Sequence, residues 1–232
     1  GLKWLTTGVG PNDLILFHYS GHGSQVNVDD YTSSDESDGF DEILCPIDLN
    51  WDDPLRDHEV GRFFKRLPET SHALVILDCC HSGTGLRNGS VKLPKDVKNR
   101  FLPPPPSNIL ANPTVSIDDM LNFVPPATNS RDIRTVKRSV VMSASEQGNA
   151  ILISGCRDNQ TSADFRAPTG SFQGALTFFL VKTLQKHNWN ISYDNLVKEV
   201  KQVLKKQQFT QEPQLEAMKS LLPLGFLGGS VG

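Results

Sequence analysis

No stretch of this chain reaches 18 consecutive apolar residues, so no membrane-spanning helix is expected and a membrane is not among the expected partners. Basic charge is not in excess. The formal net charge is −3, which argues against general affinity for nucleic acid. Cysteines are few. Four in 232 residues give no disulfide lattice, and two of them are adjacent, a placement that rarely bridges without strain. Neither a CxxC pair nor an HExxH sequence occurs, so a zinc site is not expected. No secretory signal opens the chain, and sequences such as Asn88-Gly89-Ser90 are common by chance. Together these absences predict an intracellular protein, cytoplasmic or nuclear, with reduced thiols. No internal repeat is visible. The length and the 38% apolar content suit one folded domain with a large core.

What is present is concentrated at the ends of two apolar runs. Ala73-Leu74-Val75-Ile76-Leu77 is too short for a helix and rich in branched residues, which suits a strand buried on both faces. Asp78, Cys79, Cys80, His81, Ser82 and Gly83 follow directly. In open α/β sheets, ligands bind just beyond the carboxyl ends of the strands, so a thiol there is both rigid and exposed. The plain alternative is a pair of ordinary buried cysteines. The run from Asp13 to Phe17 has the same grammar. It leads through His18, Tyr19 and Ser20 to His22, which stands between Gly21 and Gly23. Glycine on both sides lets the backbone turn sharply and leaves the imidazole uncovered. If the two strands are parallel neighbours, their ends meet at one sheet edge. A Cys and a His there are the parts of a thiol nucleophile and its base.

Elsewhere the pattern is coarser. Gly1 to Leu5 reads as the tail of a helix, and His18 as a packed core histidine. Residues 24–56 are polar and acidic: a solvated loop, or a calcium site built from several carboxylates. Asp57 to Leu67 is an amphipathic helix with Val60, Phe63, Phe64 and Leu67 on one face, Asp57 as N-cap and Pro68 as its stop. Residues 87–137 hold Pro103 to Pro106, Pro113, Pro125 and Pro126 among scattered Lys and Arg, which predicts an exposed, irregular connection. A strand over Ser139–Ser143, a loop over Ser154–Asp164, helices over Phe172–His187 and Tyr193–Lys206, and a short strand after Pro213 complete the chain.

The two motifs, His22 within Tyr19-Ser20-Gly21-His22-Gly23 and Cys80 within Asp78-Cys79-Cys80-His81-Ser82-Gly83, resemble those of the metacaspases, relatives of the caspases among the Cys-His peptidases. The likeness continues through Asp38-Gly39-Phe40-Asp41-Glu42, Cys45-Pro46-Ile47-Asp48, the stretch from Ser154 to Asp164, and Gly174-Ala175-Leu176-Thr177. The Gln-Ala-Cys run of the caspases proper is absent, and the short linker resembles that of type I metacaspases. The resemblance implies an α/β fold, the caspase-like (caspase-hemoglobinase) three-layer α-β-α sandwich around a mostly parallel sheet. It implies one such domain, divided into a large portion (1–86) without the family's first strand, a Pro/basic linker (87–138) and a small portion (139–232).

The implied activity is that of a cysteine endopeptidase, a monomer acting on peptides or proteins with Arg or Lys before the cut. The likeness makes Cys80 the nucleophile, and alternation along the strand end sends Cys79 to the other side. His22 would pair with the thiol and protonate the leaving amine, with His81 the rival by proximity in sequence. The amides of Gly23 and Cys80 are the natural oxyanion donors. Ser20 and Asp78 would line an acidic pocket, since a buried carboxylate needs a cation; the plain alternative for Asp78 is a strand-end cap. The likeness also implies calcium (Ca2+) activation, with Asp41 or Asp38, and Asp57, as ligands, and self-processing near Arg134, Lys137 and Arg138. Two other readings stand beside the enzyme: a non-catalytic caspase-like interaction module, and a calcium-binding scaffold.

Overall fold

The computed structural model describes residues 1–27, 40–80, 96–105, 150–157 and 160–229. Its central sheet has four strands in the order β1 (Leu14–Ser20), β5 (His72–Asp78), β7 (Ala150–Ser154) and β10 (Gln214–Glu216). The first three are parallel, and β10 runs antiparallel to β7. The register pairs Ser20 with Asp78, so the two motif-bearing strands end level with each other.

The residues of β5 are apolar without interruption because both faces are covered. Leu74 and Ile76 join Ile151 and Ile153 in the core beneath α3 (Ala175–Lys186) and α4 (Tyr193–Lys206). Ala73, Val75 and Leu77 face the opposite way, toward Val60 and Phe64 of α2 (Asp57–Phe64), with α1 (Leu2–Thr6) alongside. This is the expected three-layer sandwich. Each fully buried aliphatic side chain contributes about 1.5–3 kcal/mol to it.

β1 departs from the expectation of a strand buried on both faces. Ile15 is buried, but Leu14 and Leu16 are 46% and 44% exposed. Among the described residues β1 is the sheet's edge, and none of its residues joins the core under α3 and α4. His18 lies on the same open face. It is exposed, with Nε2 3.2 Å from Thr177 Oγ1, and is not a core histidine.

Two small antiparallel sheets flank the centre. β2 (His22–Asn27), β3 (Phe40–Cys45) and β4 (Leu55–Arg56) replace part of the expected acidic loop, and Ile43 and Leu44 of β3 are core residues. The acid-rich composition concealed these strands. β6 (Val97–Asn99), β8 (Ala163–Arg166) and β9 (Phe172–Gly174) form the second sheet. β9 takes the start of the expected helix over Phe172–His187. α4 has the expected bounds, with the Ser192 hydroxyl accepting from the Asn195 N–H at its start. α2 stops at Phe64, short of Leu67, and its N-cap is Arg56, so Asp57 is the first helical residue and not the cap. The Ser139–Ser143 stretch lies outside the described residues.

Candidate functional site

The parallel pairing of β1 with β5 brings the two motifs together. The Gly21 N–H donates to the Asp78 carbonyl at 3.3 Å. One step on, a Cβ on Gly23 would collide with the Cys80 carbonyl, so only glycine permits this approach of the two backbones. Tyr19 locks the turn: its hydroxyl donates to the His22 carbonyl at 2.7 Å and accepts from the Cys45 N–H at 3.1 Å.

The thiol and the imidazole share this edge, but among the described residues no hydrogen bond joins them. Cys80 Sγ accepts from the Ser162 N–H at 2.8 Å and donates to the Ser162 carbonyl at 3.2 Å. Cys80 has no exposed surface. Burial pushes the His22 pKa below its ordinary 6.5, Asp164 opposes that shift, and Arg100 and Lys98 add to it. Cys156 is a further thiol at the site that sequence reasoning left without a role. Its hydrogen bond with Cys80, followed by burial, raises its pKa well above the usual thiol value. His81, the rival base, lies outside the described residues, as do Arg134, Lys137 and Arg138.

Asp78 is completely buried. Oδ1 accepts from the Ser162 hydroxyl at 2.8 Å, and Oδ2 accepts from the Thr177 N–H at 2.8 Å and its hydroxyl at 2.7 Å. These bonds splice the end of β5 to the residue just before β8 and to the start of α3. Gly174, just before α3, has no room for a side chain, because a Cβ there would strike Asp78 and Arg100.

Arg100 was not singled out by the sequence, where it is one of several basic residues before the proline run. It is 5% exposed. Nη1 donates to Ser20 Oγ at 2.8 Å and to the Asp78 carbonyl, and lies 3.5 Å from Asp78 Oδ1. Nε and Nη2 both donate to Asp164 Oδ1, at 2.9 and 2.7 Å. Ser20 and Asp78, expected to line a substrate pocket, here touch the chain's own Arg100. The acid with the closest contacts to it is Asp164, missed by sequence reasoning although its motif was noted. Strand alternation places Asp164 here: its neighbour Phe165 points into an aromatic cluster, 5.6 Å from Phe179 between ring centroids. Ser20 and Arg100 also line one end of an open cleft of about 450 Å3 that continues past Phe172, Thr177 and Lys182.

The two described calcium candidates sit apart from this edge. Asp41 pairs with Arg56 at 3.0 Å and lies 3.5 Å from His58 Nδ1, so its carboxylate already faces a guanidinium. Asp57 is buried at the first turn of α2. Among the described residues, no group of three or more His, Cys, Asp or Glu side chains could hold a metal ion. Asp38, the alternative to Asp41 as a ligand, lies outside the described residues.

The chain is similar to known proteins over nearly its whole length. The chain is 32% identical over 235 residues to metacaspase-1 of Schizosaccharomyces pombe, covering 95% of this chain and 53% of that protein. To metacaspase-1 of Candida albicans it is 29% identical over 229 residues, covering 93% and 50%. The chain therefore spans about half the length of the curated relatives it matches. The crystal structure of protein GSU0716 from Geobacter sulfurreducens superposes with a TM-score of 0.59 at 26% identity, covering 97% of this chain and 74% of that one. The caspase domain family (Peptidase C14) matches residues 2–222, so the chain belongs to that family, and the metacaspases are members it is similar to.

Proposed function

We propose that this chain is a cysteine endopeptidase that hydrolyses the peptide bond following arginine or lysine. The observation that carries the reading is the cation seat at the strand ends, where Ser20, Asp78 and Asp164 surround a guanidinium beside the Gly23 amide and Cys80. A substrate side chain of the same charge fits the same acids. In the proposed reaction, His22 takes the Cys80 proton and the sulfur adds to the carbonyl carbon. The Gly23 and Cys80 amides receive the developing oxyanion. The C–N bond breaks, His22 returns the proton to the leaving amine, and water hydrolyses the thioester. Cys80 must first turn from Ser162, which holds its sulfur in the resting arrangement.

Replacement of Cys80 with alanine, or of His22 with alanine, is expected to reduce hydrolysis of an arginyl peptide reporter to background, with aspartyl reporters inert throughout. Full activity in Cys80→Ala contradicts the reading. The complete burial of Cys80 favours a second reading, a non-catalytic caspase-like module, which predicts no covalent adduct at Cys80 with a thiol-directed arginyl reagent. Self-processing in the linker after Arg134, Lys137 or Arg138 belongs to the first reading and is checked by the intact masses of the fragments.

A further inference from the structure

We propose that residues 97–100 occupy the chain's own substrate groove, as an internal stand-in for the peptide on the amino side of the cut, with Arg100 in the seat a substrate arginine must take. This rests on the peptidase reading and adds its regulation. Three contacts by which a peptidase grips a peptide are made here to the chain itself. The first is a main-chain ladder: β6 lies antiparallel to β8 with Lys98 opposite Asp164, and the Arg100 N–H donates to the Ser162 carbonyl at 3.1 Å. The second is the carbonyl: Arg100 O accepts from the Gly23 N–H at 2.9 Å, the amide expected to hold the oxyanion. The third is the side-chain anchor already described, a buried guanidinium whose desolvation is offset by Asp164, Ser20 and Asp78.

The chain is also held beyond Arg100. The Leu102 N–H donates to the Gly23 carbonyl at 2.8 Å, and Phe101 is buried. Both sides of the Arg100–Phe101 bond are therefore tied to Gly23, as in a tightly bound inhibitor. Cys80, with no exposed surface, meets an external peptide only after this segment leaves. The seat also discriminates between cations. Nε and Nη2 share one oxygen of Asp164 while Nη1 reaches Ser20, a fork that a single ammonium nitrogen cannot reproduce.

The test compares the native chain with Arg100→Ala and Arg100→Lys on arginyl and lysyl reporters. It then adds a synthetic peptide of residues 96–102, Asp-Val-Lys-Asn-Arg-Phe-Leu. Emptying the seat is expected to lower KM for the arginyl reporter by on the order of tenfold or more, with Arg100→Lys between. The peptide should inhibit Arg100→Ala competitively, and the same peptide with alanine in place of arginine should not. If Arg100→Ala does not fold, a lowered KM in Arg100→Lys and competitive inhibition of that variant by the peptide carry the test. Equal KM in the native chain and the folded variants, or no competition by the peptide, overturns the internal strand and leaves the peptidase reading standing. Absence of arginyl hydrolysis in the native chain and in folded Arg100→Ala overturns the peptidase reading, and this inference with it.

Discussion

Asp164 carries two guanidinium donors on one oxygen, whereas Asp78 spends its carboxylate on Ser162 and Thr177. The two acids therefore have different tasks, and substitution separates them. With Arg100→Ala as background, Asp164→Asn should raise KM for an arginyl reporter about 10- to 100-fold, the worth of a charged hydrogen bond of roughly 1.5–3 kcal/mol, with kcat less affected. Thr177→Val leaves the buried Asp78 one hydroxyl short and should cost about 1–3 kcal/mol in denaturant unfolding, whether or not a substrate is present. The sequence left two readings of Asp78 open, strand-end tie or pocket wall, because both need a carboxylate at the end of β5. Arg100 and Asp164 were not legible. A lone arginine before prolines looks like any solvated cation, and only the pairing of β6 with β8 brings it inside.

At the level of elements, the sequence was most legible where period and packing agree. α4 shows Leu196, Val197, Val200 and Leu204 on one face, all buried, and a serine at its N-cap. Leu196→Ala there should cost roughly 2–5 kcal/mol, and the exposed Lys198→Ala no more than about 0.5 kcal/mol, both read from denaturant midpoints. β5, apolar throughout, was equally plain. The short strands β2, β3, β6, β8 and β9 were less so. They are three to six residues long, carry mixed composition and exist through pairing with distant segments, so local pattern says little about them. β1 was half legible. Its apolar run announced a strand, but the exposure of Leu14 and Leu16 depends on what covers the sheet and not on the strand's own residues.

At the scale of the whole molecule, three of the described histidines report on the folded state. Burial is the main cause that lowers the pKa of His18, His22 and His72 below 6.5. Each folded-state value lies under the unfolded one, so the unfolded chain takes up protons first as pH falls. Stability should be full above pH 6.5 and decline as pH drops through and below that value, a trend checked by melting temperature in matched buffers. The acid limb of kcat/KM, if set by His22, should likewise fall below 6.5.

The four thiols offer a direct readout of the site. Burial pushes Cys45 up to about 12 and Cys79 well above the usual thiol range, and hydrogen bonding to Cys80 together with burial raises Cys156, so these three stay protonated and unreactive. The decisive measurement is peptide-mapped mass spectrometry of the native chain and Arg100→Ala after exposure to a thiol-directed arginyl ketone, with the leucyl ketone alongside. The account predicts a single adduct on Cys80 from the arginyl reagent, faster in Arg100→Ala, and little from the leucyl one. Modification of Cys45, Cys79 or Cys156 in its place, or equal labelling of Cys80 by both reagents, would contradict it.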